Sequence, residues 1–140
     1  MGTNTVINQG DIFWIKSENP NESELGFYSH PYVVVQDDVF NHSRVHSVVV
    51  CALTTNLKQA KAPGNVLLEE GEGNLPKQSV VVVSKVSAVD KSRLGEYVGS
   101  LGEERVKQIL AGMRFLEVGF WGGRQLGNPY MWVTGGRAFI

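Results

Sequence analysis

The feature that most constrains this chain is a succession of short runs rich in β-branched and aromatic residues, broken by turn formers, with one long helical period late in the sequence. Asp11-Ile12-Phe13-Trp14-Ile15-Lys16 follows the turn residue Gly10 and reads as a first strand. Pro31 introduces Tyr32-Val33-Val34-Val35-Gln36, where a proline at a strand start withholds no needed N–H from the ladder. After a turn through Asp37, Asp38 and Asn41, Val45 to Leu53 is apolar enough to be buried on both faces. Val66-Leu67-Leu68 follows the Pro63-Gly64 turn, Glu70 to Pro76 reads as a loop, and Ser79 to Val86 is the fifth strand. Short strands at this spacing predict a small barrel or sandwich.

The helical signal comes last. Val106, Ile109, Leu110, Met113 and Leu116 recur at helical spacing and make one apolar stripe for core or dimer contact. Ser100 is the expected N-cap, with Glu103 and Glu104 suited to the first turn. A shorter helical turn is expected near Lys91-Ser92-Arg93-Leu94. Two polar or irregular stretches stand outside this pattern. Ser17 to Ser29 is long for a loop without structure of its own, a length often associated with function. The tail, from Phe120 to Ile140, combines glycines with Phe120, Trp121, Tyr130, Trp132 and Phe139, and part of it is expected to pack on the barrel. The expected division is therefore a barrel domain over 1–118 and a Gly- and aromatic-rich tail over 119–140.

At 140 residues and 42% hydrophobic, the chain can bury a core as one domain. Its formal net charge of −1 means that any nucleic-acid site must be a local basic patch. Cys51 is the only cysteine and lies in an apolar run, so it is expected in the core of a protein kept in a reducing cytoplasm. No basic-then-apolar leader opens the chain and no apolar run is long enough to span a bilayer, so a soluble protein without membrane contact is expected.

Metal-binding patterns are sparse. His42 and His46 flank Arg44, but residues four apart on a strand lie roughly 13 Å apart. No H-E-x-x-H or C-x-x-C pattern occurs, Gly71-Glu72-Gly73 lacks the lysine and helix of a phosphate loop, and no nucleophile elbow is present. The expectation is a site with neither metal nor cofactor.

Several segments resemble the MazF/PemK toxin family. Gly10-Asp11-Ile12-Phe13-Trp14-Ile15 is similar to the family's opening strand, and Ser23-Glu24 to the start of its first loop. His30-Pro31-Tyr32-Val33-Val34-Val35-Gln36-Asp37-Asp38 resembles the strand that follows, and Leu53-Thr54-Thr55-Asn56-Leu57 a strand end that carries a threonine. Pro63 to Leu68, Gly73 to Val80 and Val89 to Leu94 continue in order. Each motif is short; their order across 10–116 gives the match its weight. The tail has no counterpart in it.

This resemblance implies a mainly β, SH3-like barrel of the type shared with CcdB, closed by a C-terminal α-helix, and a homodimer. It implies a toxin of a type II toxin–antitoxin module that cuts single-stranded RNA without a metal and is blocked by a cognate antitoxin. DNA contact is then expected only for a toxin–antitoxin complex. Metal-free cleavage needs a base for the 2′-OH, an acid for the departing 5′-oxygen, and donors or positive charge at the phosphate. The resemblance assigns the catalytic roles to His30, Thr54 and Glu24, and RNA contacts to Thr55, Lys58, Lys61 and Lys77.

His30 departs from the family, which carries an arginine before the proline. Arginine is permanently cationic and forks onto phosphate, whereas histidine can act as acid or base. His30 thus either keeps the chemistry in a changed role or marks a weakened member that binds antitoxin, RNA or DNA without cutting. Each site residue also has a plain structural reading: a surface histidine, a turn-satisfying threonine, a solvated glutamate, solubilising lysines. Inhibition of gyrase, from the CcdB side of the fold, is a third reading, which the motif matches do not favour.

Overall fold

A computed structural model of the chain describes residues 6–16 and 29–119. Glu24 with its loop, and the tail from Phe120, lie outside the described residues. The elements are β1 (Asp11–Lys16), β2 (Ser29–Val34), α1 (Asp38–Asn41), β3 (Ser47–Thr54), β4 (Val66–Leu68), β5 (Ser79–Asp90), β6 (Leu94–Ser100) and α2 (Glu103–Glu117). Single 3-10 turns occupy Leu57–Lys61, Glu72–Asn74 and Lys91–Arg93. The strands form one six-stranded sheet in the order β4-β5-β3-β2-β1-β6, with every neighbouring pair antiparallel.

The mainly β expectation and the single late helix are both observed, and the sheet curls as a barrel must. The turn that follows β4, one edge of the sheet, meets β6, the other edge: Asn74 Nδ2 donates to the Val98 carbonyl at 3.0 Å. Gly99 lies against the backbone of Gly73, where a side chain on Gly99 would overlap the Gly73 carbonyl. The interior is filled by Ile12, Val33, Cys51, Leu53, Leu68, Val81 and Val83, and α2 closes it with Ile109. Alternate residues of β3 supply a second cluster on the other face, where Val48 and Val50 pack with Phe13, Ile15 and Val34. Of the run from Val45 to Leu53 expected to be buried on both faces, Val48, Val50, Cys51 and Leu53 are buried because β3 lies between β2 and β5 and contributes to both clusters, whereas Val45, His46 and Ser47 are exposed. Cys51 is fully buried; its thiol donates to the Val82 carbonyl at 3.0 Å, and burial pushes its pKa up to about 12.

Several expectations need correction. β6 reads poorly as a strand because Gly95 and Gly99 interrupt it, yet Gly99 is what permits the close approach to Gly73. Ser100 does not cap α2: it ends β6, where its hydroxyl donates to Asp11 Oδ1 at 2.6 Å, and Gly102 holds the cap position without a side-chain bond. The turn at Asp37 is a short helix, capped by the Asp37 carboxylate accepting from the Val39 N–H at 2.8 Å. β5 runs on to Asp90, four residues past the expected Val86 (90 less 86). Ionic and polar contacts fasten α2 to the barrel. Arg105 forks onto Glu72, with Nε and Nη2 each 2.8 Å from a carboxylate oxygen, and this pairing holds the Glu72 carboxyl below its usual range.

Candidate nucleic-acid cleavage site

Two neighbouring strand ends build the site. β1 and β2 pair in a register that sets Ile15 opposite His30, and β2 and β3 pair from Tyr32 opposite Ala52. Carried on by two residues, the second register faces His30 with Thr54. Both residues line a cleft of about 670 Å³, and both also line an adjoining one of about 280 Å³. The two catalytic candidates that can be located are therefore brought together, on a shared wall between two clefts.

The Thr54 hydroxyl oxygen accepts from the Asn56 N–H at 3.1 Å. This is the turn-satisfying role open to a strand-end threonine. It occupies one lone pair and leaves the O–H able to donate outward. Asn56 in turn caps the 3-10 turn Leu57–Lys61 by accepting from the Lys58 N–H. Of the RNA-contact candidates, Thr55 and Lys77 line the smaller cleft beside His30, Thr54 and Trp14. Lys58 and Lys61 are exposed on the 3-10 turn and line neither of these clefts.

The larger cleft holds residues that the sequence did not single out. Lys16 from the end of β1, Lys85 from β5 and Arg93 from the turn before β6 all line it, with Tyr32 and Gln59. Arg93 Nη2 donates to the Lys16 carbonyl at 2.6 Å, which ties that turn to β1. Among the described residues no carboxylate lines either cleft. This is the local basic patch that a net charge of −1 required for any nucleic-acid site. Its cations come from three separate stretches of sequence, so no run of charge betrays it. The described residues bring no three of His, Cys, Asp and Glu into a metal-binding group, and no helix among them is long and apolar enough to cross a membrane.

The arrangement suits a phosphodiester: one cleft lined by cationic groups together with a histidine and a hydroxyl able to move or donate protons. Comparison with known proteins agrees. The profile of the PemK-like, MazF-like toxins of type II toxin–antitoxin systems matches residues 8–116. Endoribonuclease MazF2 of Mycobacterium bovis is 31% identical over 109 residues, covering 78% of this chain and 95% of that protein. Endoribonuclease MazF6 of Mycobacterium tuberculosis matches with the same identity and coverage. Among solved structures, a MazE–MazF crystal structure from Deinococcus radiodurans superposes with a TM-score of 0.66 at 18% identity, covering 81% of this chain and 97% of that one. A mycobacterial endoribonuclease in complex with its cognate antitoxin gives 0.61 at 19% identity, covering 89% and 98%. At such identities the structural likeness speaks for the fold.

Proposed function

This chain belongs to the PemK-like, MazF-like toxins of type II toxin–antitoxin systems, and we propose that it is an endoribonuclease that cuts single-stranded RNA without a metal ion. The observation that carries this reading is the cleft in which His30 and Thr54 meet Lys16, Lys85 and Arg93 with no carboxylate among the described lining residues. His30 acts as a proton-transfer group. The 2′-OH loses its proton to a base, its oxygen bonds to phosphorus, and the P–O5′ bond breaks as the leaving oxygen takes a proton. The products are a 2′,3′-cyclic phosphate and a 5′-OH. Thr54 donates its hydroxyl to a phosphate oxygen. Glu24, outside the described residues, stays a second proton-transfer candidate. Thr55 and Lys77 hold a neighbouring nucleotide in the smaller cleft, and Lys58 and Lys61 steady the backbone further out.

The test is direct: purified protein is incubated with a long single-stranded RNA in EDTA. Fragments ending in 2′,3′-cyclic phosphate are expected at the rate seen with Mg²⁺. Cleavage lost in EDTA and restored by Mg²⁺ would overturn the mechanism. An antitoxin that occupies the clefts should suppress the activity; the likeness to an endoribonuclease solved with its cognate antitoxin supports that pairing. A cytoplasmic location accords with the buried, unpaired Cys51 thiol and with an RNA substrate.

The same reading includes a homodimer. α2 leaves Leu110 and Phe115 exposed, with Phe115 57% accessible, and Val118 just past its end is exposed too; apolar residues so grouped usually find a cover. Light scattering should give twice the chain mass at micromolar concentration; a monomer mass there would contradict it. One sequence observation favours a second reading. His30 stands where related toxins have arginine, so a chain that binds RNA or antitoxin and never cuts remains the alternative that the cleavage assay decides.

A further inference from the structure

The ladder between β3 and β5 contains a break with a consequence for the site. Ala52 pairs with Val82, but its neighbour Cys51 pairs with Val86, so Val83, Ser84 and Lys85 have no counterpart on β3. An inserted stretch of odd length reverses which face of a strand each later residue occupies. Before the break, Val81 and Val83 point into the barrel and Val82 lines the large cleft. In an unbroken strand Lys85 would follow Val81 and Val83 into that apolar interior, where an ammonium is costly to bury. From the break onward, Lys85, Ser87, Ala88 and Val89 line the cleft. The bulge thus keeps a lysine out of the core and on the cleft that His30 and Thr54 also line.

We propose that Lys85 is the permanent cation of the cleavage site, contacting the scissile phosphate as its charge builds. This rests on the nuclease reading above. His30 and Thr54 share the cleft with Lys85, and neither is a fixed positive charge. The other cations of the cleft are already engaged: Arg93 donates to the Lys16 carbonyl at 2.6 Å, and further contacts hold both Lys16 and Arg93. Lys85 is exposed, and among the described residues no hydrogen bond or ion pair takes up its ammonium. A lysine carries three rotatable donors on a flexible stem, enough to follow a phosphate from its tetrahedral ground state into a five-coordinate transition state. Its role is electrostatic: it takes no part in the proton transfers, which occur at His30 and its partner.

The experiment compares wild type with Lys85→Ala, Lys85→Gln and Lys85→Arg on one single-stranded RNA, reading kcat and KM separately, with binding of the fully 2′-O-methylated RNA measured alongside. Since Lys85 is exposed, the variants should melt with wild type. The expected result is a loss in kcat of about 10- to 10²-fold in the alanine and glutamine variants, little change in KM, and recovery of most of the rate in the arginine variant. An unchanged kcat overturns the proposal. So does a rise confined to KM with a shallower salt dependence, which would make Lys85 a backbone contact only. If wild type itself fails to cut, the nuclease reading falls and Lys85 falls with it. That result is distinguished from failure of Lys85 alone, in which wild type and alanine variant cut equally well.

Discussion

His30→Ala is expected to slow RNA cleavage by about 10²–10⁴-fold, the usual contribution of a positioned proton-transfer group. His30 lines both clefts beside Thr54, and its strand is held in register by the Ile15 pairing, so truncating the ring should remove chemistry without moving backbone. His30→Arg is the sharper variant. Arginine supplies charge but cannot exchange a proton near neutral pH. If His30 transfers protons while Lys85 supplies the charge, the arginine variant should be slow as well. If His30 only stands in for charge, that variant should match or exceed wild type. Full activity in His30→Ala would move the chemistry to Thr54 and the cleft lysines. A silent wild type that gains cleavage through His30→Arg would establish the binding-module reading.

Gly112→Ala should cost about 2 kcal/mol of stability net. In an exposed helix the same change would stabilise by roughly 1 kcal/mol. Here Gly112 is buried on α2 against the Pro63-Gly64 turn, and a Cβ on it would overlap the Gly64 carbonyl. The obstacle is backbone on both sides. Gly64 itself has φ +88°, a left-handed conformation that resists adjustment, and its own Cβ position lies 3.0 Å from the Gly112 carbonyl. The added methyl must therefore push α2 away from β4 and β5, at the cost typical of an overpacked core. Urea unfolding at fixed protein concentration measures it; an unchanged midpoint would show that the helix can shift freely.

Much of the architecture was legible because it is written in local alternation. β3 announces its central burial through its apolar run, and α2 announces one apolar stripe, of which Ile109 is fully covered, Val106, Met113 and Leu116 are half-buried and Leu110 is exposed. Motif order across 10–116 pointed to His30 and Thr54, and these do lie together. The misplaced features depend on contacts distant in sequence. β6 looks weak in isolation because its glycines lower strand propensity, and only the approach of Gly73 explains Gly99. Ser100 has the composition of a cap but is claimed by Asp11, far away in sequence. Lys58 and Lys61, which the family resemblance puts near the groove, sit on a 3-10 turn and line neither cleft.

By itself, then, the sequence determined the first five strands, the late helix and the motifs at the strand ends, since periodicity and turn chemistry act between near neighbours, but not β6 or the short helix after Asp37. Tertiary structure alone decided where the positive charge gathers. Lys16, Lys85 and Arg93 converge only when β1, β5 and the turn before β6 are brought to one cleft. Lys85 faces it only because β5 carries Val83 to Lys85 without partners on β3. Strand register is a relation between distant residues, and an odd insertion in it changes the face of every residue that follows.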